Sequence, residues 1–259
     1  MKYSTLKLKH DKNVLTIFLN RPDVHNAMNE KLMTELIDCF KKINEDKKTR
    51  IVIITGTGKS FCAGADLNWM KNMVNYSFEE NVKDSKLLLD LYNSIYNCKK
   101  PVIAKVNGHA FGGGIGLFAA CDLAIATSEC KFAFSEVKLG IIPSVISTFI
   151  VRRIGLSNMK RLFLTGERID SEYAQKIGLV DFIAIPDKID EIVNKYITIF
   201  NSSGPNAMIQ VKDLVNNYEK KTIENYKEHT VKKISELRVS EEGQEGINAF
   251  LEKRKSKWS

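Results

Sequence analysis

Val102-Ile103-Ala104-Lys105-Val106-Asn107-Gly108-His109-Ala110-Phe111-Gly112-Gly113-Gly114-Ile115-Gly116-Leu117-Phe118-Ala119-Ala120 is the stretch that decides the fold. Val102 to Val106 is a β-branched run, and the triple glycine then opens the apolar stretch Ile115 to Ala120, so the order is strand, turn, helix start. An earlier segment has the same order: Ile51 to Thr55 reads as a strand and is followed by the small-residue turn Cys62-Ala63-Gly64-Ala65-Asp66. A helix start carries unsatisfied N–H donors and the positive end of a dipole, so two such turns brought together hold an oxygen that gains negative charge. Glycine lets a ligand approach the main chain and lets φ turn positive. A tight turn packed on a sheet explains either cluster equally well alone; the pair favours a shared anion site.

Phe61-Cys62-Ala63-Gly64-Ala65-Asp66-Leu67 and Asn107-Gly108-His109-Ala110-Phe111-Gly112-Gly113-Gly114 resemble the two signature segments of the crotonase (enoyl-CoA hydratase/isomerase) family. The likeness continues in Asn20-Arg21-Pro22, Asn26-Ala27-Met28, Ala120-Cys121-Asp122-Leu123-Ala124-Ile125-Ala126 and Ala249-Phe250-Leu251-Glu252-Lys253-Arg254, almost end to end. The resemblance implies an α/β fold, a crotonase-like spiral of ββα repeats over residues 1–200, and a C-terminal helical oligomerisation region over 201–259. It implies an acyl-CoA thioester whose carbonyl oxygen sits between the amides of Ala65 and Gly113, with His25, Ala27, Ala63, Asp66 and Leu67 on the substrate and CoA side. A donor of that kind is worth about 2.7–4 kcal/mol of transition-state stabilisation. For His25, an exposed loop histidine is an equal reading.

Hydratases of that family usually carry one glutamate just after the glycines and a second further along. Here the first position is Gly116, while Ser135-Glu136-Val137 matches the second. Glu136 lies among Phe132, Phe134, Val137 and Leu139, surroundings that raise a carboxyl pKa toward that of a useful base; read without the resemblance it is a solvated strand-end glutamate. One carboxyl suits two reactions. The first is hydration of a branched, 3-methylglutaconyl-CoA-like thioester of the kind met in leucine degradation. The subgroup acting on such substrates is similar to this chain in Phe111 to Leu117, in Ser135-Glu136-Val137 and in Ile142-Pro143-Ser144-Val145-Ile146-Ser147, where most of the family has a glycine-rich run. The second is Δ3-Δ2 enoyl-CoA isomerisation.

The chain has 259 residues, 44% hydrophobic and 27% charged, a composition of a globular protein, and no apolar run reaches bilayer-spanning length. Met1 to Asn13 is polar and leads straight into Val14 to Leu19, so no leader is expected. Five scattered cysteines without CxxC spacing favour reduced thiols and a cytoplasmic location over disulfides or zinc. The histidines, His10, His25, His109 and His229, have no metal-ligand spacing, so no metal site is expected. Gly56-Thr57-Gly58-Lys59-Ser60 mimics a phosphate loop, but Ile53 and Phe61 stand where a Walker or dinucleotide pattern requires glycine. No cofactor is expected; CoA arrives as part of the substrate.

Tyr3 to Lys9 and Val14 to Leu19 read as a hairpin, and Leu32, Met33, Leu36, Ile37, Phe40 and Ile43 mark an amphipathic helix. Asn81 to Asn97, Gly114 to Ala120 and Asn158 to Thr165 read as helices, Leu123 to Ala126 and Val180 to Ala184 as strands. After Asn201-Ser202-Ser203-Gly204-Pro205 the chain is charged and helix-forming. Ile209, Val211, Leu214 and Val215 form one apolar face there, and Ile247, Phe250 and Leu251 another. In relatives such a tail builds a homotrimer or a hexamer of paired trimers, and Phe250 and Lys253 match positions that meet the nucleotide end of CoA on a neighbouring subunit; Lys253 also reads as one more charge of a basic terminus. A net charge of +8, with lysine pairs such as Lys41-Lys42 and Lys232-Lys233, raises RNA binding as an alternative. Interleaved acids and the lack of an aromatic-basic stacking motif disfavour it.

Overall fold

Through the middle of the chain, from the third strand to the eighth, consecutive strands alternate between two sheets, and that alternation builds the fold. The computed structural model describes residues 2–258. Leu6–Asp11 (β1) and Val14–Leu19 (β2) form the antiparallel hairpin, with Leu6 opposite Leu19. Glu30–Glu45 (α1) starts where Asn29 accepts the Leu32 amide, and buries the expected Leu32, Met33, Leu36, Phe40 and Ile43. Three strand-strand-helix units follow. The first is Ile51–Gly56 (β3), Ser60–Cys62 (β4), Leu67–Met73 (α2) and Phe78–Tyr96 (α3); the second is Val102–Val106 (β5), His109–Phe111 (β6) and Gly113–Ala119 (α4). The third is Leu123–Thr127 (β7), Lys131–Ala133 (β8), a 3-10 turn at Ser135–Leu139 and Ser147–Thr165 (α5). Ile169–Asp170 (β9), Ser171–Lys176 (α6), Phe182–Ala184 (β10) and Ile189–Asn201 (α7) complete the two sheets.

The larger sheet runs β1-β2-β3-β5-β7-β10 and the smaller β4-β6-β8-β9. The first strand of each unit joins the larger sheet and the second joins the smaller, so every unit steps one strand along both, and the chain winds as a spiral of ββα repeats. Strands β3, β5 and β7 are parallel neighbours, as are β4, β6 and β8. Strand β3 is buried along its whole length. Val52 and Ile54 face the main core, while Ile51 and Ile53 join Ile103, Ile125 and Val193 under α7, which is why the run is apolar at every position.

Several boundaries differ from those read in the sequence. Helix α3 begins at Phe78, three residues before Asn81, because Ser77 and Glu80 form a capping box. Helix α5 begins at Ser147, not Asn158; Gly155, at φ 69°, breaks it into two helical segments. Strand β10 starts at Phe182, because Val180 and Asp181 still belong to the turn after α6, where the Asp181 amide donates to Ala124 O at 2.8 Å.

Pro205–Asn217 (α8), Ile223–Val239 (α9) and Glu241–Leu251 (α10) form the C-terminal helical region. Glu242 accepts the Asn206 and Ala207 amides at the start of α8, and Arg50 holds the Ser203 and Trp258 carbonyls at 2.9 Å each, tying the tail to the spiral. Both apolar faces of this region are open to solvent in the single chain: Val215 is 61% exposed and Phe250 82%. No helix of the described residues is long and apolar enough to cross a membrane. All five cysteines are free and buried.

Candidate active site

Parallel pairing of β4 with β6, Ser60 opposite His109 and Cys62 opposite Ala110, delivers both small-residue turns to the same end of the smaller sheet. Gly64, at φ +95°, lets its turn pass over the neighbouring chain: a Cβ there would lie 2.9 Å from the Phe111 carbonyl oxygen. From the other side a Cβ on Gly114 would lie 2.3 Å from the Cys62 carbonyl oxygen. The two bends are therefore in main-chain contact.

The loop from His25 to Met28 lies along the first bend. His25 O accepts from Ala63 at 3.0 Å, Met28 donates to Gly64 O at 2.7 Å, and Asp66 donates to Met28 O at 2.8 Å, so Met28 and Ala65 form a parallel bridge. Successive peptide groups of an extended chain point to opposite sides, and the Ala65 N–H therefore faces away from Met28. Among the described residues it has no acceptor. In the second bend Gly112, at φ +48°, donates to Ala133 O at 2.9 Å, and Gly113, the first residue of α4, has an N–H with no acceptor among the described residues. Ala65 and Gly113 are both half-buried, so the hollow between them is reached from outside.

Strand β8, paired with β6, brings the acid. Phe111 lies opposite Ala133, and the chain then turns through the buried Phe134 into the 3-10 turn that carries Glu136, not a strand end. The carboxyl packs against Gly112: a Cβ at that glycine would lie 2.8 Å from Glu136 Oε1. Oε2 is buried without a hydrogen-bond partner. Burial, outweighing one backbone hydrogen bond, pushes the Glu136 carboxyl above the usual carboxylate range. Two free N–H groups next to such a carboxyl can hold an oxygen that gains charge while a proton moves at the neighbouring carbon.

The other residues singled out in the sequence divide. Asp66 is 5% exposed and fully engaged: Oδ1 accepts from Asn68 at 2.8 Å as the cap of α2, and Oδ2 pairs with Arg21 Nη2 at 2.8 Å. Its carboxyl braces the bend. Arg21 also donates to the Ala27 carbonyl, fixing the loop to the bend. Ala27 is buried, Ala63 half-buried and Leu67 exposed at the start of α2. His25 is exposed at φ 52°, its Nδ1 3.0 Å from Ser60 Oγ. Phe250 and Lys253 lie in and just after α10, which packs on α8 and α9. The single chain does not bring them to the two bends.

Tyr92, on α3, was not legible as part of the site. Its hydroxyl donates to the Gly113 carbonyl at 2.8 Å, and its ring, with Ile146, fills the space beside Gly116, where a Cβ would lie 2.7 Å from Tyr92 Cζ and 2.5 Å from Ile146 Cγ2. The signal was the spacing of Leu91, Tyr92 and Ile95 as the inward face of an otherwise polar helix.

A family profile described as "Enoyl-CoA hydratase/isomerase" matches residues 9–259. The chain is similar to a crotonyl-CoA hydratase of Syntrophomonas wolfei, 34% identical over 258 residues that cover 99% of this chain and 98% of the relative. Among solved structures it is similar to an enoyl-CoA hydratase of Shewanella pealeana, at a TM-score of 0.95 and 37% identity over 99% of this chain and 97% of that one. It is also similar to an enoyl-CoA hydratase/isomerase of Marinobacter aquaeolei, at a TM-score of 0.93 and 33% identity over 98% of both chains.

Proposed function

The chain belongs to the enoyl-CoA hydratase/isomerase family of enzymes, and on that premise we propose that it adds water reversibly across the 2,3 double bond of a CoA thioester. The observation that carries this reading is the unpaired, buried Oε2 of Glu136 beside two N–H groups without acceptors. The thioester oxygen lies between the Ala65 and Gly113 amides. Glu136, ionised, takes a proton from a water whose oxygen bonds to C3. The π pair of the double bond moves toward the thioester, giving an enolate whose negative oxygen the two amides hold, each worth about 2.7–4 kcal/mol. Protonated Glu136 then delivers the proton to C2, so one carboxyl closes the cycle and no cofactor enters. Ala27, Ala63, His25 and Leu67 line the approach of the CoA portion.

The acyl group in this reading is branched and 3-methylglutaconyl-like, as in leucine degradation. Its support is the segment Ile142 to Ser147, whose Ile146 packs beside Gly116. A second reading, isomerisation of a 3-enoyl thioester by proton transfer from C2 to C4, draws support from the same packing, because Tyr92 and Ile146 leave Glu136 without a second carboxyl. The exposed apolar residues of α8 and α10 support a homotrimer or hexamer, in which Phe250 and Lys253 reach the CoA of a neighbouring copy. Free, buried thiols suit a reducing cytoplasm. The lysine pairs lie on separated elements, Lys42 paired with Asp38 and Lys233 with Asp213, which weighs against an RNA surface.

A panel of crotonyl, 3-enoyl and 3-methylglutaconyl thioesters, run in deuterated water enriched in oxygen-18, tests the proposal. Oxygen-18 at C3, fastest with the glutaconyl thioester, is the expected result. Deuterium at C4 without oxygen uptake replaces hydration by isomerisation.

A further inference from the structure

Tyr92 is fully buried, yet its hydroxyl sits on the glycine turn of the site rather than in the core. Its ring stands edge-on to Phe149, with centroids 5.7 Å apart at 60°. Gly113 and Gly116, one turn apart on α4, both open toward it: a Cβ at Gly113 would lie 2.9 Å from the Tyr92 oxygen, and one at Gly116 2.8 Å from Cε1. Burial pushes the phenol above its ordinary range, so at neutral pH it is a donor.

The peptide groups of the turn are anchored one by one. Gly112 N–H donates to Ala133 O at 2.9 Å, and Gly112 O accepts from Ile115 at 2.9 Å. Gly113 O accepts from Tyr92 Oη at 2.8 Å. Between the first and last of these anchors lies the Gly113 N–H, which has no acceptor. A run of three glycines has no side chains to set its tilt, so external anchors must do it.

We infer that Tyr92 is a positioning residue of this enzyme: its hydroxyl, held on the Gly113 carbonyl, fixes the peptide that follows Gly113 and, together with the Ile115 bond to the Gly112 carbonyl, keeps the Gly113 N–H aimed at the reacting oxygen, while its ring occupies the place beside Gly116 that a second catalytic side chain would need. The inference rests on the reading of Gly113 as an oxyanion donor. It concerns alignment, and therefore separates from proton transfer by Glu136.

The test uses Tyr92→Phe, which keeps the ring over Gly116 and removes the hydroxyl. Its kcat is expected to fall about ten- to hundredfold, as misaligned groups do, with KM and the thermal midpoint close to wild type. The deciding readout is the carbonyl stretch of crotonyl-CoA, carbon-13-labelled at the thioester carbon and bound to Glu136→Gln, which does not turn it over. Glu136→Gln is expected to lower the stretching frequency of the bound carbonyl, and Glu136→Gln with Tyr92→Phe to lose much of that shift. Equal shifts in the two proteins overturn the role of Tyr92 alone. No shift in Glu136→Gln overturns the oxyanion reading itself, and this inference with it. Should Tyr92→Phe unfold, Gly116→Ala, which pushes the ring off Gly113, is expected to diminish the carbonyl shift when combined with Glu136→Gln; an undiminished shift again overturns the inference.

Discussion

Gly114→Ala leaves every donor and acid of the site in place and changes only the distance between the two bends. The added Cβ would lie 2.3 Å from the Cys62 carbonyl oxygen and 3.0 Å from Cys62 Cβ. An ordinary carbon–oxygen contact is about 3.3 Å or more, so the bend that carries Ala65 must move away by about 1 Å. Cys62 is held in β4 by its pairing with Ala110, and the displacement passes to the residues that follow it. A shift of that size at a catalytic group costs up to about a hundredfold in rate, and overpacking costs about 1–3 kcal/mol of stability. Thermal unfolding is expected to show a folded protein with a midpoint several degrees lower, and steady-state hydration to show kcat reduced by one to two orders of magnitude. A folded Gly114→Ala with wild-type kcat refutes the reasoning, because the amides then need no close approach.

Glu136→Gln is expected to lower kcat by about two to four orders of magnitude, measured by thioester absorbance, with KM little changed. Because burial raises the Glu136 pKa, the wild-type rate falls on acidification at a pH above that of an exposed glutamate, as a kcat–pH profile checks. The sign for stability is opposite. A carboxyl whose folded pKa is raised binds its proton more tightly in the folded state, so its contribution is present at low pH and lost as pH rises through that value. The thermal midpoint of Glu136→Gln should therefore gain on wild type between pH 5 and pH 8, roughly the range beyond an ordinary carboxyl. Removing the chain from Ile247 is expected to abolish the proposed oligomer in light scattering and to raise KM for CoA thioesters; an unchanged trimer with unchanged KM contradicts the proposed assembly. RNA retention should vanish well below about 200 mM salt.

The two bends were legible because glycine and small residues at the ends of β-branched runs leave a local signature. The smaller sheet was not, since β4, β6 and β8 have three residues each, too short for any periodicity to register. That sheet sets the site: it places Ala65, Gly113 and Glu136 side by side through strand neighbours far apart in sequence. Glu136 stands out through the match of Ser135-Glu136-Val137 to the family's second glutamate, because its apolar neighbours alone also fit a solvated strand end; its contact with Gly112 is long-range and leaves no local trace. Asp66 shows the opposite limit, because sequence gives its type and not its partners, and Arg21 with the α2 cap takes up its carboxyl. Tyr92 was hidden by its helix, whose outward face is polar; only the space it shares with Gly116 reveals it.

In the proposed mechanism two main-chain amides and one buried acid converge on a single thioester. A crystal structure of Glu136→Gln with crotonyl-CoA bound tests it most directly. The thioester oxygen is expected about 2.7–3.1 Å from both the Ala65 and Gly113 nitrogens, with the side chain at position 136 facing C2 and C3. A thioester oxygen bound away from either nitrogen, or an acyl chain that leaves position 136 untouched, contradicts it.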